Sequence, residues 1–128
     1  MAKRKKKKYN YNCIEFDSQL ELDMYKILED NDNIEIIDVH KSFILFKPLK
    51  YYKIETDKMA SYSKMIYTPD IIIKIKGVRL PVAVEVKGYP RPEYKLRKKI
   101  FVNLYHDQYN FIELNTIIEC EDFSARYN

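Results

Sequence analysis

Two alternating runs joined by a short polar link constrain this chain more than any other feature. From Tyr67 to Lys76, Ile71, Ile73 and Ile75 alternate with Asp70, Ile72 and Lys74; from Leu80 to Lys87, Val82, Val84 and Val86 alternate with Ala83, Glu85 and Lys87. A period of two is that of a half-buried strand. The link Lys76-Gly77-Val78-Arg79 places Gly77 where a type II′ turn takes its first central residue, so the runs form a hairpin. If Lys76 pairs with Arg79, then Ile75 meets Leu80, Ile73 meets Val82 and Ile71 meets Val84, apolar against apolar throughout. Pro81 fits poorly, because it falls opposite Lys74 with no N–H to donate and therefore demands a bulge or an edge strand.

The same register sets Asp70 opposite Glu85. Directly opposed residues share a face with Cβ atoms roughly 5 Å apart, and Lys87, two residues on, joins them. Two carboxylates this close repel unless a cation lies between them, and a hard divalent ion with oxygen ligands is the common solution. Magnesium is the natural candidate, held by Asp70, Glu85 and the Val86 carbonyl, with manganese able to substitute. Lys87 would orient or help deprotonate an attacking water and stabilise charge on a phosphate. The bland alternative is an exposed Glu85–Lys87 ion pair on a strand face.

Around this hairpin the remaining elements are readable in outline. A helix is predicted from Ser18, a good N-cap, with Leu20, Met24, Ile27 and Leu28 on one stripe, Glu21 completing a Ser-x-x-Glu capping box, and an end near Asn31 to Asn33. Ile34 to Val39 and Ser42 to Phe46 are short β-type runs. Pro48 to Ser63, polar and rich in tyrosine, is either a hairpin extension or a long binding loop. A second helix runs from about Pro92 to Tyr105 with Leu96, Ile100 and Leu104 facing inward, and Phe111 to Leu114 is a last strand. The tail beyond is ambiguous.

With 128 residues, 46% of them apolar, the chain can close one core and one only. Its formal charge of +4 is unevenly distributed. Lys3, Arg4, Lys5, Lys6, Lys7 and Lys8 are six of the 23 basic residues; the other 17 face 19 acidic ones. Residues 1–12 are therefore expected to be a flexible basic arm that meets a polyanion, ahead of a single domain over 13–128. Cys13 and Cys120 match no metal spacing or disulfide framework, which suggests reduced thiols in the cytoplasm. No apolar run reaches the roughly 20 residues of a bilayer span, so no membrane association is expected.

Three motifs in order, Ser18-Gln19-Leu20-Glu21, Tyr67-Thr68-Pro69-Asp70 and Val84-Glu85-Val86-Lys87-Gly88, resemble the PD-(D/E)XK nuclease superfamily, and specifically the phage endonuclease I type of Holliday junction resolvase. The resemblance covers roughly residues 16–105. It implies an α/β fold with a restriction-endonuclease-like core, a central mixed β-sheet flanked by helices in α-β-β-β-α-β order. It further implies phosphodiester hydrolysis leaving a 5′ phosphate, a homodimer that cuts two strands of branched duplex DNA, and a phage protein working inside a bacterial host. Under it, Glu21 holds a second metal or its water, Asp70 and Glu85 are the central ligands, and Lys87 is the catalytic lysine. Capping alone also accounts for Glu21. The stretch between Glu21 and Tyr67 is longer than the resemblance leads one to expect.

Arg91, Lys95, Lys98 and Lys99 project away from the Leu96–Ile100 stripe and would run along a phosphate backbone leading to the metal. Tyr51, Tyr52 and Tyr62 either stack on bases or pack. His40 and His106 form no cluster and read as structural or exposed. Two other functions remain open: a nuclease specific for a sequence or for transposon ends, and a DNA-binding module without catalysis.

Overall fold

The computed structural model describes residues 8–87 and 91–128. In chain order its elements are β1 (Tyr9–Tyr11), β2 (Ile14–Phe16), α1 (Gln19–Glu29), β3 (Ile34–Val39), β4 (Phe43–Phe46), β5 (Leu49–Lys53), β6 (Lys58–Tyr62), β7 (Met65–Tyr67), β8 (Ile71–Ile75), β9 (Val82–Val86), α2 (Pro92–Tyr105), β10 (Asn110–Leu114) and α3 (Ile117–Ala125). The fold is α/β. A four-stranded sheet runs β10-β9-β8-β3, mixed because β10 is parallel to β9 while β8 is antiparallel to both its neighbours. Three antiparallel pairs, β1–β2, β4–β7 and β5–β6, lie outside it.

The hairpin takes the register that apolar pairing favours: Ile71 opposite Val84, Ile72 opposite Ala83, Ile73 opposite Val82. The expected pairs nearer the turn do not form. Lys76 donates its N–H to the Asn33 carbonyl (2.8 Å), and the turn closes one residue earlier, Val78 N–H to Ile75 O (3.0 Å). Gly77 thus occupies the second central position, with φ +84°, the place of glycine in a type II turn rather than type II′. Pro81 falls outside β9, so its missing donor costs nothing, and its carbonyl accepts from Asn110 N–H (2.8 Å).

Both faces of this sheet are covered, where alternation alone predicts one. On one face Ile71, Ile73, Ile75, Val82, Val84 and Leu114 pack against Leu22, Met24 and Leu28 of α1 and Cys120 and Phe123 of α3. On the other, Ile72 and Ala83 meet Phe43, Leu45, Tyr67, Tyr94 and Phe101. Here α2 departs from the expected orientation. Ile100 packs half-buried against this face as expected, but Leu96 and Leu104 are exposed, and the buried residues are Tyr94 and Phe101. Aromatic rings carry more apolar area than leucine, and Phe101 lies 5.1 Å, ring to ring, from both Phe43 and Tyr67, so the rings take the inward face.

The N-terminal segment also differs from expectation. Tyr9–Tyr11, assigned to a flexible arm, pairs with β2, and Tyr11 packs against the Tyr25 ring and donates to Glu29 (3.2 Å). Buried Asn31, at the predicted end of α1, donates to the Ser124 carbonyl (2.9 Å) and hydroxyl (3.0 Å), tying α1 to α3. Cys13 and Cys120 are both free thiols. The Tyr-rich stretch is a hairpin, β5–β6. Among the described residues no helix is long and apolar enough to cross a membrane.

Candidate active site

Where β9 ends, Glu85 lies buried beneath the surface. Its Oε2 accepts from the Tyr67 hydroxyl (2.7 Å), and its Oε1 faces Lys87 Nζ at 3.6 Å. The Lys87 ammonium in turn rests 4.5 Å above the centre of the Tyr94 ring, which holds the cation by its π face. These side chains, with Arg91 and Arg97, line an open cavity of about 300 Å³. Burial raises the pKa of Glu85, opposed by Tyr67 and Lys87.

Asp70 follows Pro69 at the mouth of β8, and its Oδ2 accepts from Val86 N–H (2.7 Å). Val86, expected to offer its carbonyl, thus enters the site through its amide. Burial first, then the charges of Glu85 and Glu21, push the Asp70 carboxyl up to about 8, against the opposing pull of the Val86 amide and Lys87. Asp70 thus feels both Glu85 of β9 and Glu21 of α1.

Glu21 sits in the first turn of α1, where its own N–H donates to the Ser18 hydroxyl (3.1 Å), the first half of the predicted capping box. Its buried carboxylate reaches back to the Asp17 amide beside the cap and meets His40 Nε2 at 2.5 Å. Burial raises its pKa more than His40 lowers it. His40 lies just past β3 with φ +58°, and its N–H donates to the Asp70 carbonyl (3.0 Å). Asp17, Glu21 and His40 each offer one ligand atom within 4.8 Å of the others, a mixed oxygen and nitrogen set that could hold a metal ion. This corrects the reading of His40 as a residue outside any cluster. The missing signal was the pairing of β3 with β8: Val39 stands opposite Ile71, so His40 arrives beside Asp70.

The basic residues distribute less evenly than a single phosphate track requires. Arg91 reaches the Glu85 cavity, as does Arg97, which sequence reasoning did not select. Lys98 is committed to Glu113 (2.7 Å) and lies over the Phe111 ring, while Lys95 and Lys99 line a neighbouring cavity of about 410 Å³. Lys8 pairs with Asp17 (2.7 Å), next to Glu21. Lys3, Arg4, Lys5, Lys6, Lys7 and Gly88 lie outside the described residues.

No curated protein and no solved structure matches this chain. A family model described as "Protein of unknown function (DUF1064)" matches residues 1–125. A match over nearly the whole length makes this chain a member of the DUF1064 family.

Proposed function

We propose that this chain is a metal-dependent DNA endonuclease that hydrolyses phosphodiester bonds on a restriction-endonuclease-like core. The observation that carries the reading is Glu85, buried with Tyr67 and Lys87 on its two oxygens at a cavity lined by Arg91 and Arg97, beside Asp70, whose carboxyl is held by the Val86 amide and feels the charges of both Glu85 and Glu21. Burial is the first cause of all three raised carboxyl pKa values, and a cation bound beside carboxylates withdrawn from water would offset that cost. The order α1-β3-β8-β9-α2-β10 around the mixed sheet agrees with the α-β-β-β-α-β arrangement of such cores.

The donors present fit a divalent ion. Asp70 and Glu85 offer hard carboxylate oxygens suited to magnesium or manganese, and Glu21 with His40 and Asp17 offers a second, partly nitrogenous set. When bound, such an ion polarises a phosphoryl oxygen and acidifies its water. The chain's own groups do the rest. Tyr67 fixes the Glu85 carboxylate, the Tyr94 ring holds the Lys87 ammonium close to it, and Arg91 and Arg97 take the flanking phosphates. The preference for branched DNA, and a homodimer that cuts two strands, rest on the family resemblance.

The test is cleavage of a labelled four-way junction beside a linear duplex, with magnesium, manganese or EDTA. Metal-dependent cutting should fall at least a hundredfold in Glu85→Gln and Lys87→Ala. DNA binding without cutting by the wild-type chain would remove the enzyme claim, and equal cutting of both substrates would remove the junction preference.

A further inference from the structure

The β5–β6 hairpin stands apart from the body of the protein. Its strands pair only with each other, and none of its residues belongs to either core cluster. A lone two-stranded hairpin gains little stability from itself, yet this one holds Ile54 (77% exposed), Met59 (64%) and Tyr62 (62%) in water. Tyr62 stacks on Tyr51, rings 5.4 Å apart and 8° from parallel, so Tyr62 presents the outer face of a stack already begun. Tyr52 is tied by its hydroxyl to Asp57.

A groove of about 760 Å³ at the hairpin base is lined by Leu49, Lys50, Ser61, Tyr62, Ser63 and Lys64, together with Pro48, with no acidic group among them. Among the described residues neither Lys50 nor Lys64 belongs to an ion pair. At the far end Lys53 stands opposite Lys58 and is paired with Glu55 (3.9 Å), so among the described residues the free ammonium groups of the hairpin base are those of Lys50 and Lys64. A ring face flanked by unpaired lysines is the arrangement that takes a base on the ring and phosphates on the ammonium groups. A second copy of so basic a surface would be repelled.

We infer that this groove binds an unpaired DNA strand, with one base stacked on Tyr62 and its neighbouring phosphates on Lys50 and Lys64. Lys64 lies three residues from Tyr67, about 10 Å along an extended chain, and Tyr67 holds Glu85. A strand seated on Tyr62 therefore leads toward the cavity. The inference deepens the nuclease reading and rests on it for the choice of DNA.

The test is fluorescence anisotropy of the full chain in EDTA with labelled oligothymidylate and with blunt duplex. Tyr62→Ala should weaken single-strand binding about tenfold or more while changing duplex binding less than twofold. Tyr62→Phe should bind as the wild type does, because it keeps the ring. Lys50→Ala with Lys64→Ala should lower the salt slope by about 1.4, roughly 0.7 for each phosphate contact. Unchanged single-strand affinity in Tyr62→Ala, no single-strand binding by the wild type, or a change in sedimentation instead of affinity would overturn the inference. Those results leave the nuclease reading to Glu85→Gln, which has its own readout in cleavage.

Discussion

An aspartate pushed up to about 8 belongs to a protein that folds most readily with that carboxyl neutral. Because the folded pKa lies above the ordinary value of 3.8, the stability Asp70 contributes is complete below about pH 4 and is lost as the pH climbs through 8. Glu21 and Glu85 are shifted in the same direction. In EDTA the melting temperature should therefore fall by roughly 5 °C or more between pH 5 and pH 8.5. Asp70→Asn should flatten that slope, and magnesium or manganese at pH 8.5 should restore the wild type by about 2.7 kcal/mol at a hundredfold excess over Kd. Equal slopes for the two proteins in a calorimetric scan would contradict this account. Tyr67→Phe leaves a buried Glu85 oxygen without its donor and should cost about 1–3 kcal/mol in a urea titration. Of these residues, Asp70, Glu85 and Lys87 were legible because strand alternation fixes which side chains share a face. His40 was not, since its place depends on which distant strand pairs with β3, and no local pattern records that.

At the level of elements, apolar pairing was enough to align β8 with β9, yet not enough to define their turn. The competing partner for Lys76 is Asn33, more than forty residues earlier, and that long-range bond moves Gly77 from one turn position to the next. At φ +84° and with open space around its Cβ position, Gly77→Ala should cost about 1 kcal/mol through backbone strain alone, and Gly77→Asn less. Chemical denaturation of both variants checks the order; equal stability of all three proteins would rule out the left-handed turn. In α2 the leucine and isoleucine spacing suggested one inward stripe, of which Ile100 packs against the core while Leu96 and Leu104 yield the inward face to Tyr94 and Phe101. Leu96→Ala should stay within about 0.5 kcal/mol of the wild type. Phe101→Ala should lose about 3–5 kcal/mol, because Phe101 fills the space among Phe43, Tyr67 and Tyr105. The reverse ranking would restore the leucine face.

Across the whole molecule, charge is segregated. The first eight residues hold six basic groups, and Lys8 already touches Asp17, itself one of the candidate metal ligands. Removing residues 1–7 takes away five of these cations and should lower the salt slope of duplex binding by up to ~4.5, about 0.9 for each contact. An unchanged slope in binding titrations at several salt concentrations would show that the segment makes no phosphate contacts. What holds the site together, in contrast, comes from the other end. The Lys87 amide is clamped by the Leu114 carbonyl (3.0 Å), and α1, which carries Glu21, is braced through Asn31 by Ser124 and through the Met24 carbonyl by Cys120. During synthesis, then, Glu21, Asp70 and Glu85 emerge well before the segments that lock them in place. A chain cut short before Leu114 would thus contain all three carboxyls and lack the contacts that fix their backbone.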